Sequence, residues 1–141
     1  MKHTIKLLLV LALTFSGNNL FAQGCFNANF SDNSFLNWQG FTGNCCGINT
    51  PNVGIVPGQH TIMTGTGIDP WACTPITVVA PGETYSAMLG NSAVGAQAER
   101  LRYVFNITPS SNMIIFKYAV VLQDPGHTIA QQPRFEAQLS D

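Results

Sequence analysis

Three Pro-Gly pairs, Val56-Pro57-Gly58, Ala80-Pro81-Gly82 and Asp124-Pro125-Gly126, divide the chain into short lengths. Pro before Gly is the order that a type II turn favours: Pro presets φ at the second position and Gly supplies the positive φ needed at the third. Each pair therefore marks the end of an extended segment. Between them run short stretches rich in Val, Ile, Thr, Tyr and Phe, and helical periodicity is nearly absent after residue 22.

On this pattern strands are expected at 28–30, 59–64, 76–79, 85–89, 99–107, 112–123 and 133–139. Seven short strands at this spacing indicate an all-β sandwich or barrel. In one of them Leu101, Tyr103, Phe105 and Ile107 alternate with Arg100, Arg102, Val104 and Asn106, so one face is core and the other meets solvent. Residues 113–122 are apolar on both faces apart from Lys117, the mark of a central strand covered on both sides. Residues 40–57 read as a long cysteine-bearing loop held by disulfides. The last strand runs to Asp141 with no turn after it, so the sandwich is expected to be incomplete at its C-terminal end.

The N-terminus has the features of an export leader: Lys2 and Lys6, an apolar run at 7–15, then Leu20-Phe21-Ala22 ending in a small residue. Cleavage is expected between Ala22 and Gln23. The apolar run is about half the ~20 residues of a bilayer-spanning helix. Lipidation of Cys25 is disfavoured because Ala22-Gln23 replaces the usual residues ahead of Gly24-Cys25. Removing residues 1–22 from the 141 leaves 119, enough for one domain spanning 23–141.

That domain holds Arg100, Arg102, Lys117 and Arg134 against Asp32, Asp69, Glu83, Glu99, Asp124, Glu136 and Asp141, a net charge of −3. There is no basic face for a nucleic acid backbone. Its four cysteines, Cys25, Cys45, Cys46 and Cys73, are expected to form two bridges outside the cytoplasm. Adjacent Cys45 and Cys46 are poorly placed to join each other, which leaves 25–45 with 46–73, or 25–46 with 45–73. Each staple is expected to add about 2–4 kcal/mol. A zinc site is disfavoured because no C-x-x-C pair is present.

Little in the chain points to catalysis. His3 lies in the leader, which leaves His60 and His127; there is no G-x-S-x-G and no H-E-x-x-H, and no motif fixes a pair of carboxylates. The expectation is a non-enzymatic domain without a resident cofactor, with a secreted hydrolase scaffold or a purely structural spacer as the alternatives. Two loops carry candidate ligand-binding residues. Asp124 and His127 flank a tight turn, with plain capping of that turn as the alternative. Trp71, beside Asp69, offers a ring for stacking on a sugar, with packing on a disulfide as the alternative. Trp38 is assigned to the core. Asp32 is a possible ligand for a structural calcium, although one carboxylate falls short of the several oxygens calcium takes. Asn106-Ile107-Thr108 matches the glycosylation sequon by chance, with Pro109 following.

Two stretches carry a resemblance. Asn27-Ala28-Asn29-Phe30-Ser31-Asp32-Asn33-Ser34-Phe35-Leu36-Asn37-Trp38 resembles the opening strand of galactose-binding-like jelly rolls. The second comprises His60-Thr61-Ile62, residues 79–91 from Val79-Ala80-Pro81-Gly82-Glu83 onward, residues 98–105, residues 118–127 and Gln132-Pro133-Arg134-Phe135. It is similar to the N-terminal module of large surface proteins of gliding bacteria that carry PKD-type repeats and a type IX secretion sorting domain. The resemblance implies a jelly-roll sandwich, secreted or cell-surface placement, and adhesion or glycan or polymer binding by a monomeric domain within a longer chain. It implies no catalytic residue.

Overall fold

The computed structural model describes residues 25–46, 49–93, 95–109, 112–124 and 126–140. The expected leader at 1–22 lies outside these residues, as do Pro125 and Asp141. The described chain is all-β and its strands pair antiparallel, with one short 3-10 turn at Ile129–Gln131. No helix among the described residues is long and apolar enough to cross a membrane.

Five strands form two sheets. β1 (Trp38–Asn44) lies between β2 (Asn49–Val53) and β5 (Gln97–Tyr103), while β3 (His60–Thr64) pairs with β4 (Tyr85–Leu89). In the larger sheet Trp38 faces Tyr103, Gly40 faces Leu101 and Thr42 faces Glu99, so these six share one face. On the opposite face Phe41 pairs with Arg100, whose guanidinium sits 4.0 Å from the ring centroid.

The turns at Pro57-Gly58 and Pro81-Gly82 form as the sequence requires. Gly58, Gly82 and Gly126 have φ of 83°, 86° and 96°. Gln59 N–H closes on Val56 C=O at 3.1 Å, and Glu83 N–H on Ala80 C=O at 3.0 Å. β3 and β4 lie in the stretches expected at 59–64 and 85–89.

Elsewhere the chain departs from expectation. Residues 28–30 are not a strand but part of a run of turns, with Asn27, Phe30, Asn33 and Asn37 all at positive φ. Within the expected loop at 40–57 lie most of β1 and all of β2, whose glycines, asparagines and Pro51 hide them from any propensity reading. Those residues have local reasons. A Cβ on Gly40 would come within 2.5 Å of Ile55 Cδ1 and 2.7 Å of Gly54 O, so the close passage of the following chain requires glycine. Pro51 lacks a donor and sits on an edge strand, next to the register shift between Thr42 and Asn44. Expected strand 76–79 contributes only an isolated bridge, Thr77 to Ile68. Residues 104–107 extend past the end of β5.

The largest departure is at 112–123 and 133–139, which carry no ladder. Phe116 stacks on Tyr118 and Tyr118 on Phe135, but Met113, Ile115 and Phe116 remain 77%, 73% and 61% exposed. A strand apolar on both sides needs a neighbour at each edge and a cover on each face, and the described residues supply neither. The buried apolar core is accordingly thin, with Val79 and Ala98 its only members among the described residues.

The cysteine pairing is also corrected. Cys45 and Cys46 are joined to each other at the end of β1, and Cys25 and Cys73 are exposed and unbridged. Strand length explains why Cys25 reaches neither. It lies beside Tyr103, which pairs with Trp38 at one end of β1, while Cys45 follows Asn44 at the other. Seven residues at about 3.3 Å each separate those ends by roughly 20 Å, well over the usual Cα separation across a disulfide.

Buried polar anchors take over part of the missing core's task. Asn27 is 3% exposed. Its Nδ2 donates to Ser34 C=O at 3.0 Å and Leu36 C=O at 2.9 Å, and its Oδ1 accepts from Asp32 N–H at 2.9 Å. Its own C=O accepts from Trp38 Nε1 at 2.9 Å. Asn27→Ala would remove the three side-chain bonds and leave only the backbone C=O that Trp38 Nε1 uses, at a cost of about 2 kcal/mol. The expected outcome is a lower urea midpoint with a red-shifted tryptophan emission; an unchanged midpoint would contradict the anchoring role.

Candidate functional site

The N-terminal turns lie against the outer ends of β1 and β5, and there the aromatic side chains form a row. Phe35 meets Phe30 edge-on at 6.0 Å, and Phe30 stacks on Trp38 at 4.7 Å and 19°. Trp38 leans on Tyr103 at 4.9 Å, and Tyr103 stacks on Phe105 at 6.2 Å. Strand geometry explains the last step: Tyr103 and Phe105 are two residues apart and so share a face. Trp38 is half-buried within this row.

Where the row ends the surface opens into a cleft of about 330 Å³, lined by Phe26, Asn37, Tyr103 and Phe105, with Cys25, Val104 and Asn106 at its sides. Phe26 C=O accepts from Tyr103 Oη at 2.8 Å and from Asn37 Nδ2 at 3.3 Å, which ties the turn to the sheet. Burial, then the neighbouring Cys25 charge, holds the Tyr103 phenol above its ordinary value, so it keeps the proton it donates. No Asp, Glu, Lys, Arg or His lines the cleft. Its lining combines three aromatic side chains with two neutral amides, Val104 and the Cys25 thiol, a mixture suited to a ligand that presents hydroxyl groups. A second cleft of about 300 Å³ is lined by Asn29, Ser31, Gly82, Glu83, Thr84 and Tyr85. There the one carboxylate, Glu83, is engaged by Lys117.

The two loops singled out in the sequence lie elsewhere. Asp69 Oδ1 accepts from Trp71 N–H at 2.8 Å and Ala72 N–H at 3.0 Å, shaping a tight turn that leaves the Trp71 ring 65% exposed. No disulfide lies beneath that ring, since Cys73 is unbridged. Asp124 Oδ1 accepts from His127 N–H at 2.8 Å and Gly126 N–H at 3.0 Å, and its Oδ2 accepts from Gln132 Nε2 at 3.0 Å. These bonds, His127's first, hold the exposed Asp124 carboxyl below its ordinary range. Asp124 therefore caps its turn, and His127 is exposed beside it. No hydrogen bond or ring contact joins the Trp71 loop to the Asp124 loop among the described residues. Asp32 is exposed, and no group of three or more His, Cys, Asp or Glu gathers around it or elsewhere among the described residues.

His60 is a buried structural histidine. Its Nδ1 accepts from Val56 N–H at 3.1 Å, so the ring proton sits on Nε2 and points to Arg100 C=O at 3.3 Å. That bond links β3 to β5 across the two sheets. Nearby Glu99 has an Oε1 that is buried without a hydrogen-bond partner. Burial pushes the Glu99 carboxyl above its ordinary value, against a smaller opposing pull from His60.

A raised carboxyl stabilises the fold below its ordinary value near 4.5 and loses that contribution as the pH climbs through the raised value. Glu99→Gln should therefore melt at a higher temperature than the parent at pH 7.5, with the gap closing towards pH 4. Paired thermal melts at the two pH values check this, and a variant less stable at pH 7.5 contradicts it.

The cleft was not foreseen from sequence: Phe26 matches no motif, Asn37 entered only the jelly-roll resemblance and Asn106 only a chance sequon, so the Tyr103–Phe105 alternation alone signalled part of it. Compared with family models, with curated proteins and with solved structures, the chain matches none.

Proposed function

We propose that this chain is an exported, non-enzymatic module of the cell surface or extracellular space that binds a neutral glycan or similar polymer through the cleft at the end of the aromatic row. The observation that carries the reading is the gathering of Phe26, Tyr103 and Phe105 with the amides of Asn37 and Asn106 around a cleft whose described lining holds no carboxylate, imidazole, Lys or Arg. Sugar rings present apolar C–H faces and a rim of hydroxyls, so aromatic faces with amide neighbours suit them. The leader pattern at 1–22 supports export, and the likeness to surface modules of gliding bacteria supports a jelly-roll sandwich within a larger adhesive protein. Trp71 is an exposed ring at a distinct position and offers a second contact for an extended polymer.

The absence of an imidazole or carboxylate from the cleft favours binding over hydrolysis. Affinity electrophoresis through gels containing neutral or anionic polysaccharides tests the reading. Retardation by a neutral polymer is expected, weakened about tenfold by Phe105→Ala, equivalent to about 1.4 kcal/mol. Circular dichroism confirms that the variant keeps its strands. Loss with Trp71→Ala alone would transfer the site to that loop, and free migration in every gel would remove the glycan reading.

A further inference from the structure

The Cys45–Cys46 bridge does not serve the ordinary purpose of a disulfide. A structural bridge restricts the unfolded chain by closing a loop, and its effect grows with the residues enclosed. This one encloses only its own two residues, with Cα atoms 3.8 Å apart, and connects no separate parts of the fold. What secures the turn is backbone: Cys45 N–H donates to Ala96 C=O at 2.9 Å, and Asn44 pairs with Gln97 and Asn49 on the two flanking strands.

Nor does the turn explain the second cysteine. Cys46 has φ of 75°, a left-handed conformation that glycine or asparagine adopts more readily than a side chain of this kind. Cys46 is exposed and Cys45 half-buried, so Cys46 is the residue of the pair that solution reaches more freely.

We propose that Cys45–Cys46 is a thiol–disulfide exchange site that takes small thiols from solution. A thiolate attacks Cys46 Sγ, forming a mixed disulfide and releasing Cys45 as thiolate, which takes a proton from water. A second thiolate then attacks the outer sulfur of the mixed disulfide, leaving as the oxidised dimer of the reagent and freeing Cys46. Two thiols are oxidised to one disulfide, and the protein gains a dithiol. The strand pairings on either side of the turn do not depend on the bridge, so the fold survives its opening. This site is independent of the cleft and of the glycan reading.

Peptide mapping of the full chain tests the proposal. The oxidised protein is first blocked with N-ethylmaleimide, and Cys25 and Cys73 alone should be labelled. Reduced glutathione is then added and the product quenched with iodoacetamide. The expected result is a glutathione adduct on Cys46 with iodoacetamide on Cys45, no adduct in Cys46→Ser, and a melting temperature unchanged on reduction. Untreated peptides linking Cys25 or Cys73 to Cys45 or Cys46 would overturn the proposal. So would a fall of many degrees in the melting temperature on reduction, because either result would make the cysteines staples.

Discussion

Asn27 is the contact on which the N-terminal half of this structure depends. Three of its side-chain hydrogen bonds and one to its carbonyl converge within a segment too irregular for a ladder. Buried backbone groups in such a segment need partners, and a side-chain amide supplies both donors and an acceptor at one point. By fixing Ser34, Leu36 and Asp32 around itself, Asn27 sets the path of the turns. Its backbone C=O, held in place by that side chain, receives Trp38 Nε1 and docks the turns on β1. The aromatic row and the cleft at its end follow from that docking.

The same economy recurs between the sheets. With Val79 and Ala98 as the only buried apolar residues described, hydrophobic burial alone is a weak link between the β2–β1–β5 sheet and the β3–β4 pair. His60 joins them by spending both ring nitrogens on backbone groups, one at Val56 and one at Arg100. Glu99 beside it is the less favourable part of this arrangement, a carboxylate partly removed from water with one oxygen unpaired. The cleft, by contrast, is tied together by the neutral hydrogen bonds of Tyr103 Oη and Asn37 Nδ2 to Phe26 C=O.

How much of this was legible beforehand depended on whether the signal was local. Pro57-Gly58 and Pro81-Gly82 predicted their turns because type II geometry is written into two adjacent residues. β3 and β4 were legible as short runs rich in β-forming residues bounded by those turns. β1 and β2 were not, because Gly40 is there for the close approach of Ile55 and Pro51 for an edge position, and neither reason appears in a propensity. Residues 112–123 failed in the opposite direction: their apolar character was read correctly, but character alone does not supply a neighbouring strand.

By itself, then, the sequence determined the class of the chain: all-β, divided by turns and weakly charged. Those properties reside in composition and in neighbours along the chain. Only the tertiary structure decided that Cys25 lies a strand's length from Cys45, that Asp69 and Asp124 serve their own turns, and that Phe26, Asn37 and Phe105 meet in one cleft. Each depends on which segments lie side by side, and strand register, unlike turn chemistry, is set by contacts between residues far apart in the chain.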